Sequence, residues 1–100
     1  MELKIYDYVQ ADTAISYEDG RKCLEIILEH IDKEEIILNF QGIDFVITAF
    51  LNPVIGDLIT EKGEAVMDKV KISNANVNIL DKIKMVKDGT LLKRKDMDDI

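Results

Sequence analysis

Residues 36 to 59 read IILNFQGIDFVITAFLNPVIGDLI, and this stretch carries the clearest fold information in the sequence. Its first residues belong to the run Glu35 to Phe40, a short and nearly continuous apolar run that is typical of an interior strand covered by helices on at least one face. Gly42 supplies a turn. Residues 43–47 are apolar apart from Asp44, which predicts either a short strand extension or an irregular approach to the next helix.

The second half of this stretch predicts a helix over Ala49–Glu61, because apolar pairs recur at helical spacing. These pairs are Phe50 and Leu51, Val54 and Ile55, and Leu58 and Ile59. Pro53 leaves two alternatives. A helix that starts after Thr48 would be kinked at Pro53, which lacks an N–H; alternatively, Asn52 caps a helix whose first residue is Pro53. The apolar pairs favour the continuous, kinked helix, and Gly63 is placed to end it.

Towards the N-terminus, the β-rich run from Glu2 to Val9 predicts a strand. A helix is predicted over Tyr17–Ile31, since apolar residues again recur at helical spacing. Ser16 can accept a hydrogen bond from the amide three residues on, and Asp19 takes the place of the usual Glu of a capping box.

Towards the C-terminus, Lys69–Ser73 alternates between polar and apolar residues and predicts a half-exposed strand. Asn74 or Asn76 could cap a third helix, which we expect to present Val77, Leu80 and Ile83 on its apolar face and to close at Asp88-Gly89. Strands and helices therefore alternate along the chain, which is typical of the α/β class. We expect a mixed central sheet of about four strands packed by helices, a single domain over residues 1–90, and a charged C-terminal tail over residues 91–100.

Composition narrows the class of protein. With 100 residues, 47% of them hydrophobic and 33% charged, the chain fits one packed domain rather than a disordered segment. Its net charge of −7 argues against nucleic-acid binding, which needs a basic face. The one evident basic cluster, Lys93-Arg94-Lys95, is followed at once by aspartates. No basic and apolar leader opens the chain, and no apolar run approaches membrane-spanning length, so we expect a cytoplasmic protein that binds no membrane.

Residues that could perform chemistry are sparse. The single His30 lies near the end of a predicted helix, where a solvated imidazole is the simplest interpretation. The single Cys23 lies among apolar residues and has no His or Cys neighbour to depress its pKa, which favours a packed thiol. The sequence has no phosphate-binding glycine motif and no set of zinc ligands. We therefore expect no enzymatic activity, no catalytic residue, no metal and no cofactor.

Thr48 is the candidate functional residue, because it joins the apolar strand region to the amphipathic helix. Its hydroxyl could simply cap the helix by accepting a hydrogen bond from a nearby amide. The functional alternative is that the helix start accommodates a phosphate on that hydroxyl.

The strand, the Gly-Ile-Asp-Phe turn at 42–45, and the Ile-Thr-Ala-Phe-Leu-Asn run at 47–52 resemble the STAS-like family, named for the sulfate transporter and anti-sigma factor antagonist domain. The likeness is best over Ile36–Gly63 and extends more weakly through Lys69–Asn74. In the related antagonists, a Ser or Thr at this helix start is phosphorylated by a histidine-kinase-like ATPase, and phosphorylation breaks the complex. The resemblance puts Thr48 at or beside that position. The sequence departs from the antagonist pattern at two positions. Ile47 stands where an Asp commonly precedes the phosphorylated residue, and Phe50 stands where a Gly commonly follows it.

The resemblance implies a regulatory protein-interaction domain that binds a histidine-kinase-like ATPase or another protein partner. Thr48 is the candidate phosphorylation or partner-contact residue, and Asp44, Ala49 and Asn52 complete the expected partner-binding surface. The alternative is a sensor domain that binds a nucleotide or small anion at the same helix N-terminus. The oligomeric state and the identity of the partner are left open by the sequence.

Overall fold

The computed structural model describes residues 1–98, and their side chains through Lys93. Strands and helices alternate along this part of the chain. The elements are β1 (Glu2–Lys4), α1 (Ile5–Val9), β2 (Thr13–Ala14), α2 (Tyr17–His30), β3 (Ile36–Asn39), β4 (Phe45–Val46), α3 (Thr48–Leu51), a π-helical turn (Asn52–Asp57), α4 (Leu58–Lys62), a 3-10 helix (Glu64–Lys69), β5 (Val70–Ser73) and α5 (Val77–Asp98). None of these helices is long and apolar enough to cross a membrane.

The strands form two separate sheets, one of three strands in the order β1-β3-β5 and one of two, β2 and β4. Every described pair is parallel. The α/β class with helices packed on a sheet is confirmed, but the expectation of one mixed sheet of about four strands is wrong. A helical segment follows each strand except β3 and returns the chain to the same end of the fold, which produces parallel neighbours. The polar run Gln10–Thr13 predicts a loop, and the short strand β2 begins at its last residue.

The predicted interior strand is confirmed, because β3 lies between β1 and β5. Leu38 on this strand is fully buried, as are Val54 and Leu58 on the following helical segment. These residues belong to one continuous core, so the apolar periodicity identified the correct faces.

Helical backbone runs from Thr48 to Lys62 and contains a π-helical turn beginning at Asn52. Asn52 is itself helical, with φ −55° and ψ −49°, and its N–H donates to the Thr48 carbonyl. The continuous helix is therefore the correct alternative, and Asn52 does not cap a new helix; the irregularity at Pro53 takes the form of the π-helical turn. A π-helical turn is one of the recognised ways in which a helix absorbs an irregularity. Gly63, at φ +91°, ends the segment as expected.

Two predictions at the chain ends are wrong. The strand predicted over Glu2–Val9 ends at Lys4, and α1 follows; Gln10 then leaves that helix in the left-handed region at φ 53°. The helix expected to close at Asp88-Gly89 continues through Asp98. Its buried face is only partly the predicted one. Ile83 is buried as expected and Val86 is buried with it, but Val77 and Leu80 are exposed and Ile79 is buried in their place.

The proposed division at residue 90 stays a prediction, although α5 runs across it and Leu91 packs against the core. The last two positions of the predicted tail lie outside the described residues.

Two helix starts follow their sequence signals. The Ser16 hydroxyl accepts from the Asp19 amide at 3.2 Å at the start of α2. Of the two asparagines proposed to cap the last helix, Asn76 does so: its Oδ1 accepts from the Ile79 amide at 2.9 Å. Each bond satisfies one of the amides that a helix start leaves without an intrahelical partner.

Candidate functional site

Thr48 is the first residue of α3, and its side chain is exposed. The residue in the capping position is Ile47, whose backbone is extended at φ −118° and ψ 163°, and no side chain caps this helix. The prediction that the Thr48 hydroxyl caps the helix is therefore wrong. The reason is geometric, since a capping residue needs non-helical backbone angles and Thr48 is already helical. In the described part of the chain its hydroxyl makes no hydrogen bond.

The other predicted site residues are brought together only in part. Asn52 is exposed and lies one helical turn beyond Thr48, while Ala49 is half-buried beside them. Asp44 is also exposed, but it precedes β4 and lies four positions before Thr48 along mostly extended chain, at most about 13 Å away. The structure thus places three of these residues on one helix start and the fourth at the far end of the neighbouring strand.

An exposed apolar surface borders Thr48. Because strand side chains alternate, Thr13, Ile15, Phe45 and Ile47 share the outward face of the β2–β4 pair, while Ala14 and Val46 point into the core. Ile15 is 53% exposed and Phe45 45% exposed. We name these four outward residues the ladder patch. Large side chains exposed side by side on a small domain mark a possible contact surface.

Two side chains, Asn76 just before α5 and Lys82 within it, donate hydrogen bonds to the edge of β4 that β2 does not cover. The Asp44 and Val46 carbonyls accept from Asn76 Nδ2 at 3.0 Å and from Lys82 Nζ at 2.7 Å. The Lys82 ammonium also lies 4.0 Å from the centre of the Phe45 ring, a cation–π contact. These contacts satisfy carbonyls that face away from β2, and they fix the strand that presents Phe45. Sequence reasoning missed Lys82 because its partners are 36 residues away in the chain.

A second polar feature lies at the carboxyl ends of the three-stranded sheet, where Lys4, Asn39 and Ser73 occupy matching positions in the register. Asn39 is buried; its Oδ1 accepts from the Gln41 amide and from Asn74 Nδ2, both at 2.9 Å. An open cleft of about 250 Å³ adjoins it, lined by Lys4, Tyr6, Asp7, Asn39, Gln41 and Gly42. Gln41, which directly follows the predicted strand Glu35–Phe40, was the available signal for this cleft; the other polar lining residues fall inside predicted strands.

The two residues with reactive side chains, Cys23 and His30, both lie on α2. Cys23 is fully buried, and burial first, with the charge of Asp19 second, raises the pKa of its thiol from 9.0 to about 12. That thiol stays protonated at neutral pH and is a poor nucleophile. His30 lies in the last turn of α2, and its Nδ1 is 3.5 Å from a Glu34 carboxylate oxygen. Within residues 1–98, no group of three or more His, Cys, Asp and Glu is placed to hold a metal ion.

Comparison with known protein families identifies the family of this chain. A family model described as a STAS-like domain of unknown function matches residues 19–80, which is more than half of the chain. The chain therefore belongs to the STAS-like domain family of unknown function. The match spans α2 through the start of α5 and includes Asp44, Thr48, Ala49 and Asn52. Neither the curated proteins nor the solved structures contain a significant match.

Proposed function

We propose that this chain is a non-enzymatic regulatory domain that binds another protein through the surface around Thr48. One observation carries the proposal. The Thr48 hydroxyl is exposed and free of hydrogen bonds within the described residues, and it lies next to the apolar ladder patch. A hydroxyl in this state is accessible to a modifying enzyme, and the adjoining apolar side chains offer contact area to a partner.

The proposed partner is a histidine-kinase-like ATPase or another protein, and the first of these follows from the family resemblance. Phosphorylation of Thr48 is the proposed control. A phosphate carries close to two negative charges at neutral pH. At the start of a helical segment those charges lie near free amides, so the fold itself would tolerate them.

The bound partner would not tolerate the same phosphate. Covering the ladder patch removes water from the region beside Thr48, and a charged group that loses its water without gaining a partner is costly. Phosphorylation would therefore weaken the complex while leaving the domain folded. The same proposal includes a cytoplasmic location and neither a nucleic-acid nor a membrane ligand.

The test begins with capture of partners on the immobilised chain, followed by identification of the captured protein and measurement of its affinity by calorimetry. We expect Thr48→Glu to weaken binding of that protein at least tenfold. Thr60→Glu is the control for added charge, because Thr60 is also an exposed threonine of the same helical segment, about 18 Å further along. Since the Thr60 hydroxyl donates to the Gly56 carbonyl at 3.0 Å, thermal melting checks that this variant stays folded. Equal affinities for the parent and Thr48→Glu would contradict the proposal.

The alternative, a nucleotide or small-anion sensor that uses the same helix start, stays a prediction. The nearby Lys82 ammonium is already engaged by the Val46 carbonyl and the Phe45 ring, so no specific observation favours that alternative. A rise in melting temperature with added nucleotide would favour it.

A further inference from the structure

Two exposed carboxylates adjoin the ladder patch. Asp12 and Asp44 immediately precede β2 and β4, and the Asp44 amide donates to the Asp12 carbonyl at 2.7 Å, so the two residues are neighbours. Both are exposed, and neither forms an ion pair with any residue that the structure describes. The surface therefore combines exposed apolar side chains with two carboxylates outside ion pairs. The Lys82 ammonium is also present, but it is already engaged by the Phe45 ring and the Val46 carbonyl. The surface complements an apolar segment that carries a basic residue.

The chain itself contains such a segment. Near the end of α5, Leu92 is 65% exposed and Lys93 is exposed beside it. In the sequence Lys93 begins the run Lys-Arg-Lys, which holds three of the thirteen basic residues of a chain whose net charge is −7. The acidic residues of the chain end come after this run. We name Leu92 and Lys93 the basic segment, because the structure describes both side chains as exposed.

The basic segment cannot reach the ladder patch of its own molecule. The start of α5 is fixed beside the patch, because Asn76 bonds to the Asp44 carbonyl at 3.0 Å. Leu92 lies sixteen residues further along the same helix, about 24 Å away. An intramolecular contact would require breaking α5, so only another molecule can bring the two surfaces together.

We propose that the ladder patch, with Asp12 and Asp44, binds the basic segment of a second copy of this chain. The contact is heterologous, since it joins two different surfaces. A dimer formed through one such contact leaves one patch and one basic segment free, unless further copies close a ring. Its small area makes the association weak. Because the occupied surface adjoins Thr48, self-association would compete with the proposed protein partner. The inference does not depend on that partner, and its test uses the isolated chain.

The test is sedimentation equilibrium of the full chain up to about 1 mM protein. Physiological ionic strength is used, because a Debye length of about 8 Å then screens the long-range repulsion between two acidic molecules. One variant, Ile15→Glu, disables the patch; a second, Leu92→Glu with Lys93→Glu, disables the basic segment. All three substituted side chains are exposed, so circular dichroism is expected to show unchanged folding. Asp44→Lys is a second patch variant that also leaves the core untouched.

We expect the average mass of the parent to rise with concentration and each variant alone to associate at least tenfold more weakly. An equimolar mixture of the two variants retains one intact patch and one intact basic segment, so it is expected to form a heterodimer. The proposal is overturned if the parent stays monomeric over this range, if either variant associates like the parent, or if the mixture stays monomeric.

Discussion

Replacing Gly20 by alanine is expected to separate α2 from the helical segment that begins at Thr48. A Cβ built on Gly20 lies 2.4 Å from the Phe50 carbonyl oxygen and 2.6 Å from Pro53 Cγ. Ordinary contacts of a Cβ begin at 3.4 Å, so the two backbones would have to move apart by about 1 Å. A change of side-chain rotamer cannot relieve the closest contact, because the atom that the Cβ meets, the Phe50 carbonyl oxygen, belongs to the backbone.

The magnitude follows from two opposing effects. Overpacking of a tight core typically costs about 1–3 kcal/mol, and a clash against backbone belongs at the upper end. Alanine regains about 1 kcal/mol over glycine as a helix former. We therefore expect Gly20→Ala to lower the free energy of unfolding by about 2 kcal/mol, which corresponds to a fall in Tm of about 10 °C for a domain of this size.

Gly89→Ala is the matched control for this substitution. Gly89 also lies in a helix, but a Cβ built there meets no atom within 4 Å, so only the helix-forming gain remains. We expect this variant to be more stable by about 0.5–1 kcal/mol. Chemical denaturation of both variants measures the two shifts. If Gly20→Ala left stability unchanged or raised it, the close approach of α2 to the Phe50–Pro53 backbone would not exist.

Three further predictions concern stability and the Cys23 thiol. Leu58→Ala should cost about 2–5 kcal/mol in chemical denaturation, because Leu58 is fully buried; a loss below half a kcal/mol would show that it is not core. Ser16→Ala should cost about 1 kcal/mol of stability, because it removes the cap of α2. Thr48→Ala should change stability by less than about 0.5 kcal/mol, because Thr48 caps no helix. Equal losses in thermal melts would mean that Thr48 also caps. Between pH 9.0 and about 12 the unfolded chain releases the Cys23 proton while the folded chain retains it, so stability falls by up to about 1.4 kcal/mol per pH unit. Cys23→Ala should lack that part of the decline, and an identical pH profile would contradict the raised pKa.

The sequence predicted the elements whose apolar pattern is long or interior. The central strand, α2 and the helical segment after Thr48 were identified because burial on a defined face imposes a visible period. The first strand was predicted too long, because residue types rather than a burial period suggested it. Ile5, Tyr6, Tyr8 and Val9 are β-forming types, and their placement on a single helical turn depends on tertiary contacts that propensity does not contain.

The predicted end of the last helix was wrong for a different reason. A glycine after an aspartate is a common stop signal, but it stops a helix only where the following residues leave the core. Here Thr90 and Leu91 return to it: the Thr90 hydroxyl lies against Gly56, 3.1 Å from a Cβ built there, and Leu91 packs against buried residues. The overlooked signal was that Ile79 and Thr90 continue the helical spacing of Ile83 and Val86 in both directions.

For the candidate site, local sequence identified the surface helix start but not its surroundings. Asn52 and Thr48 share a helical turn, so they are near each other by periodicity alone. Ile15 and Lys82 reach the same region from distant parts of the chain, through a strand pair of only two residues and through a single side chain. Contacts of that kind depend on topology and leave no local pattern.

Amide hydrogen exchange of the chain with and without its captured partner tests the central claim most directly. If the partner binds the surface around Thr48, protection should concentrate at residues 13–17 and 45–52, which contain the ladder patch and the start of α3. Exchange at β1, β3 and β5 should change little, because those strands lie outside the proposed contact. Protection concentrated instead at the cleft beside Asn39, with none at residues 45–52, would contradict the account.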